Sequence, residues 1–80
     1  MNKKVLEELK KIVLNTFSET KIEKPFLELE MGDIEEWDSQ GNLNLLLAIE
    51  DQFNLRFSME EMTEIMSISQ ILSKIERDLS

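Results

Sequence analysis

The run Trp37-Asp38-Ser39-Gln40-Gly41-Asn42-Leu43-Asn44-Leu45-Leu46-Leu47-Ala48-Ile49-Glu50-Asp51-Gln52-Phe53 decides how this chain folds, because its second half is the most apolar segment of the sequence. With successive residues about 100° apart, Leu43, Leu45, Leu46, Leu47, Ile49 and Phe53 cover a wide arc, and Asn44, Ala48, Asp51 and Gln52 cover the remainder. A surface helix needs only a stripe. The pattern therefore predicts a central helix packed on more than one side, starting at Asp38 or Ser39 and ending at Phe53 or Asn54. Glu50 falls on the rim of the arc, either as a charge facing a partner or as a carboxylate whose stem lies over apolar neighbours. Ser39 follows an acid and precedes a glycine by two places. Ser and Asp are both favoured helix caps, so the serine reads either as a plain cap or as a hydroxyl displayed on a rigid support.

Upstream of this helix, Glu19 to Asp38 carries no sustained period and is punctuated by Pro25 and Gly32. A connection of this length without regular structure is uncommon in a small domain and tends to be functional. Its apolar residues Ile22, Phe26, Leu27, Leu29, Met31, Ile34 and Trp37 are expected to pin it across the helices and so fix Ser39. The acids Asp33, Glu35, Glu36 and Asp38 depart from the spacing of an EF-hand calcium loop, so no dedicated metal site is expected, only loose divalent-ion binding. Before the loop, Lys3 to Ser18 places Val5, Leu6, Leu9, Ile12, Val13 and Phe17 at helical spacing, with lysines and glutamates on the solvated side.

Downstream, Ser58-Met59-Glu60-Glu61 has the capping-box spacing and opens a short helix at Met59. Ser67-Ile68-Ser69-Gln70 repeats the device nine residues later, which ends the short helix near Met66 and starts a last helix with Ile68, Ile71, Leu72, Ile75 and Leu79 on one face. The link Asn54-Leu55-Arg56-Phe57 is expected to be extended, with Leu55 and Phe57 inward. Met59, Met62 and Met66 line one side of the short helix; core filling is the favoured reading over an adaptable apolar pocket. Together these elements predict one all-α domain over residues 1–80: a four-helix bundle of three longer helices and a short third one, with a long first connection.

Composition narrows the function. The chain has 80 residues, 17 Asp plus Glu against 9 Lys plus Arg, a net charge of -8 and 41% hydrophobic residues. That is enough apolar material for one core and not for a cleft between two lobes. The charge argues against nucleic acid as partner and for basic protein surfaces. There is no Cys, His or Tyr. Disulfides, Cys/His zinc sites and Ser-His or Cys-His nucleophilic pairs are thereby excluded, and no catalytic residue is assigned: the chain is not expected to be an enzyme. No apolar run approaches the roughly 20 residues of a membrane span, and Met-Asn-Lys-Lys leads into an amphipathic pattern rather than a signal peptide. A cytoplasmic monomer is expected.

The run Trp37 to Phe53, followed by Arg56-Phe57-Ser58 and the capped Ser67-Ile68 start, resembles an acyl carrier protein, in the branch whose signature is Trp-Asp-Ser-Leu-Gly-His-Leu. The likeness covers roughly Gly32 to Leu72, and the first helix agrees in length and pattern. What the resemblance implies is that Ser39, preceded by Asp38, takes a covalent 4'-phosphopantetheine from coenzyme A through a separate magnesium-dependent phosphopantetheinyl transferase. The thiol of that arm would carry acyl groups as thioesters. A phosphate at a helix start is favoured independently by the unpaired N–H groups and the helix dipole there. By the same resemblance Gln40, Leu43, Leu47, Glu50, Asp51, Glu60, Glu61 and Glu64 face partners, namely the transferase and acyl-loading and acyl-consuming enzymes with basic patches. Gln40 stands where the family usually has Leu, Asn42 where it commonly has His, and Gln40 to Asn44 carry no acid. These departures point to a specialised biosynthetic pathway. An aminoacyl or peptidyl carrier and an unmodified helical adaptor are the alternatives.

Overall fold

The structure, a computed structural model, describes residues 3–17 and 24–79, the side chain of residue 79 excepted. Among the described residues four α-helices follow in order, α1 (Lys3–Thr16), α2 (Ser39–Phe53), α3 (Met59–Glu64) and α4 (Ile68–Leu79), with one 3-10 turn at Phe26–Glu28 inside the first connection. Among the described residues there is no strand, and the one extended pairing is an isolated antiparallel bridge between Glu30 and Ser67. The all-α four-helix bundle with a short third helix is thus observed. No helix among the described residues is long and apolar enough to cross a membrane.

The expected stripe of α1 is the buried one. Val5, Leu9, Ile12 and Val13 face inward, and Phe17, whose N–H still donates to the Val13 carbonyl at 2.9 Å, closes the row. Ser18 and Ile22 lie outside the described residues. α1 packs on α2, and α4 packs on the 3-10 turn. From α4, Ile68, Ile71, Leu72 and Ile75 complete the core. The link after α2 turns at Asn54, whose left-handed φ of 54° an asparagine tolerates, and Leu55 and Phe57 are buried as expected.

α2 itself corrects one expectation. Leu45, Leu46 and Ile49 are fully buried, but Leu43 and Leu47 are 40% and 47% exposed. Four helices leave one flank of the central helix without a neighbour, and two leucines one turn apart stand on it. α2 is packed on one broad side, not all round.

The first connection is pinned by side chains and backbone together. Leu29, Ile34 and Trp37 are buried, Phe26 and Met31 are half-buried, and Leu27 stays exposed. The Met31 N–H donates to the Met66 carbonyl at 2.7 Å, and the Ile68 N–H to the Leu29 carbonyl at 2.9 Å, which ties the loop to the start of α4. Gly32 turns the chain with a φ of +101° that side chains rarely adopt. Asp33 is a local brace: its carboxylate accepts from the Glu30 N–H at 3.0 Å and from Lys24 at 2.9 Å. The Lys24 hydrogen bond, followed by that of the Glu30 N–H, holds this carboxyl below its ordinary range.

Candidate functional site

The loop delivers the chain to α2 through Trp37, which is fully buried and stacks on Phe17 with ring centroids 5.7 Å apart. The next residue, Asp38, is extended, and it is the cap. Its Oδ1 accepts from the Gly41 N–H at 2.8 Å, and its carbonyl takes the Asn42 N–H at 2.8 Å, the first bond of the helix. Ser39 is therefore the first helical residue and not the cap. Its side chain is exposed, and its hydroxyl makes no hydrogen bond among the described residues. The N–H groups of Ser39 and Gln40 belong to a first turn that has no carbonyl of its own helix to bond.

Gly41 explains how tightly this corner is built. A Cβ there would stand on the Glu36 carbonyl oxygen and within 3.0 Å of the Phe17 ring. Only hydrogen lets the start of α2 lie flat against the loop that precedes it.

Asn42 is buried, 5% exposed, and hydrogen-bonds within the fold through both ends of its amide. Its Oδ1 accepts the Trp37 indole N–H at 2.9 Å, and its Nδ2 donates to the Ile65 carbonyl at 2.8 Å. One side chain thus joins the loop, α2 and the end of α3. No role for Asn42 in the site was read from the sequence. The signal is present: 42, 45, 46 and 49 share one face of the helix, so an amide at 42 points where the buried leucines point.

Beside Ser39 lies a pocket of about 330 Å³ lined by Met31, Ser39, Asn42, Met62, Thr63 and Met66. Core filling, the expected role of the methionines, holds for Met62, which packs against the core, and not for Met59 and Met66. Met62 is half-buried and Met66 is 40% exposed, while Met59 points away from the bundle at 86% exposed. Met62 and Met66 wall one side of this gap, and Met31 closes it from the loop.

The residues expected to face partners divide into two sets. Gln40, Leu43, Leu47, Asp51, Glu60 and Glu64 are exposed on α2 and α3, with Gln40 Nε2 donating to Asn44 Oδ1 one turn on at 3.3 Å. Glu50 and Glu61 are engaged inside the fold. Glu50 Oε2 accepts the Phe57 N–H at 2.8 Å and so braces the α2–α3 link. Glu61 accepts the Ser58 N–H at 2.8 Å while Ser58 Oγ accepts from the Glu61 N–H at 3.1 Å, the capping box read in the sequence. The other Glu61 oxygen meets Lys74 Nζ and Arg77 Nη2, each at 3.1 Å. The Ser58 N–H, and then Lys74, hold the Glu61 carboxyl below its ordinary range. Burial pushes the Lys74 ammonium down, and its bonds to Glu61 and Asp78 outweigh that and leave it raised.

No group of three or more acids that could hold a metal ion occurs among the described residues. Comparison with protein-family models, curated proteins and solved structures finds no match.

Proposed function

We propose that this chain is an acyl carrier protein, with Ser39 as the attachment point of 4'-phosphopantetheine. The observation that carries the reading is the division of labour at the start of α2: Asp38 caps the helix, so the Ser39 hydroxyl is exposed and uncommitted. A serine serving as cap would have its oxygen turned back to a backbone N–H.

The residues present fit the group. An anion at the Ser39 oxygen would sit beside the unpaired N–H groups of the first turn and the positive end of the helix dipole. The methionine pocket offers an apolar wall next to it. In the transfer, a bond forms between Ser39 Oγ and phosphorus, the pyrophosphate bond of coenzyme A breaks, adenosine 3',5'-bisphosphate leaves, and the hydroxyl proton goes to the transferase. The bound group supplies a thiol for thioesters, which the chain, without Cys, lacks. Asp38 and Gly41 keep the attachment point fixed, and the exposed acids Asp51, Glu60 and Glu64 steer the carrier to basic partner surfaces. Nothing in this role requires the chain to catalyse.

Incubation of the purified protein with coenzyme A and a broad-specificity transferase, followed by intact-mass analysis, tests the reading. One phosphopantetheinyl unit is expected on the wild type and none on Ser39→Ala. An unmodified wild type across transferases of different specificity overturns it in favour of a helical adaptor.

A further inference from the structure

Residues 38–64 carry six acids, Asp38, Glu50, Asp51, Glu60, Glu61 and Glu64, and one cation, Arg56. The fold takes three of those acids for itself: Asp38 caps α2, Glu50 holds the Phe57 N–H, and Glu61 serves the α3 cap and the pairs to α4. Asp51, Glu60 and Glu64 remain exposed. Arg56 is exposed too, and among the described residues it makes no ion pair. The chain on either side holds it there. Leu55 before it and Phe57 after it are buried, and the N–H groups of both are bonded to Glu50, the first to its backbone carbonyl and the second to its carboxylate.

Arg56 shares a hollow of about 340 Å³ with Leu47, Glu50, Asp51, Asn54 and Leu55. Leu47 belongs to the exposed flank of α2, and Asp51 follows one turn after it. An apolar contact, a negative charge and a positive charge thus meet at the C-terminal end of the helix. A surface that offers only basic residues fits Asp51, Glu60 and Glu64 and is repelled by Arg56. A surface that sets one carboxylate among its basic residues fits all four, and the planar guanidinium binds a carboxylate through two hydrogen bonds. We propose that Arg56 is a specificity-determining residue of the partner face: it favours enzymes whose basic docking patch carries an acid opposite the end of α2, and it weakens docking of purely basic ones. The inference rests on the carrier reading, because it concerns the enzymes that act at Ser39. α2 has 15 residues, so about 22 Å of helix separates Ser39 from this hollow. The effect therefore falls on docking and not on the transfer step.

The kinetics of phosphopantetheinyl transfer by a broad-specificity transferase with a basic docking patch test this. Arg56→Glu replaces a repelling charge by an attracting one. It is expected to raise kcat/KM about threefold to tenfold at low salt, through KM with kcat unchanged, the size that two exposed charge contacts carry. Arg56→Ala should fall between it and the wild type, and the gain should shrink as salt rises. Lys11→Glu, on the exposed side of α1, changes the net charge by the same amount and should move KM by less than about twofold. An unchanged or lower kcat/KM for Arg56→Glu, or an equal gain from Lys11→Glu, overturns the proposal. Replacing the basic residues of the transferase patch by Glu one at a time reads the other half. At one position the preference should reverse, with the wild type becoming the better substrate, and no reversal at any position overturns the selection of an acid. A chain that no transferase modifies overturns the carrier reading and this inference with it, whereas a modified wild type with an indifferent Arg56→Glu overturns this inference alone.

Discussion

Ser39 and Ser58 both stand at helix starts, and the chain uses them in opposite ways. At α3, Ser58 is the cap, its hydroxyl bonded to the Glu61 N–H, and Glu61 reaches back to the Ser58 N–H. Glu60 and Glu61 also place two acids in that first turn. At α2 the cap has moved one residue earlier, to Asp38, and the residue three places after it is Gly41, which has no side chain to reach back with. The first turn of α2 carries no acid. One helix start is closed by its own side chains; the other keeps a hydroxyl and two N–H groups for something else. A serine at a helix start is thus informative only once the residue doing the capping is known.

The largest difference between the two starts is expected in modification. Ser39→Ala should abolish phosphopantetheinyl transfer in the mass assay and move stability by no more than about 0.5 kcal/mol, as for an exposed site without partners. Ser58→Ala should leave transfer unchanged. Transfer that survives Ser39→Ala, or that Ser58→Ala removes, breaks the comparison.

Next in size is Gly41→Ala. The added carbon meets a backbone carbonyl, which cannot swing aside as a flexible side chain would. Overpacking of this kind should cost about 2–3 kcal/mol in urea unfolding, with Trp37, the chain's single tryptophan, as the fluorescence probe. A loss under about 0.5 kcal/mol would mean that the loop and α2 can part without strain, and that Ser39 is less firmly placed than the packing indicates.

The caps themselves come third. Asp38→Ala and Ser58→Ala should each cost about 1 kcal/mol, yet only the first should slow transfer. With Asp38 gone, Ser39 is the nearest side chain able to accept the Gly41 N–H, and a hydroxyl drawn to that task is no longer displayed. Equal transfer rates in the wild type and Asp38→Ala would show that the cap and the attachment point are independent.

These differences also show where the sequence was legible. The four helices and both serine-led starts of α3 and α4 could be read because local rules govern them: helical spacing of apolar residues and the capping box. The pinning of the loop was legible from its surplus of apolar side chains. Which of Asp38 and Ser39 caps α2 was not, because both residue types cap well and one residue of register separates them. The exposed flank at Leu43 and Leu47, the engagement of Glu50 and Glu61, and the pocket walled by Met31, Met62 and Met66 depend on which neighbours arrive across the fold, and spacing along one helix carries no record of them. Asn42 lies between: its register marks it as inward, but its partners Trp37 and Ile65 are fixed only by packing.

The smallest effect belongs to the charge on Glu61, and it sharpens what closing a helix start is worth. Glutamine at this position can still accept the Ser58 N–H, so Glu61→Gln removes the ion pairs to Lys74 and Arg77 and keeps the cap. The folded-state pKa of Glu61 lies below the ordinary 4.5, so its contribution is present above that value and lost as pH falls through the lowered one. Lys74 lies above the ordinary 10.5, so its contribution is complete below that value and lost as pH rises through the raised one. The clasp is therefore whole between these limits. Near neutrality Glu61→Gln should cost about 0.5 kcal/mol, in the range of partly exposed pairs. Urea unfolding of both proteins at pH 7 and in acid separates the terms: the gap between wild type and variant should close as pH drops below the lowered value, whatever the other acids contribute to each. A gap that persists in acid would show that the difference between the two proteins does not come from the ionised carboxylate, and the ion pairs to Lys74 and Arg77 would then add nothing to the hold of α3 on α4.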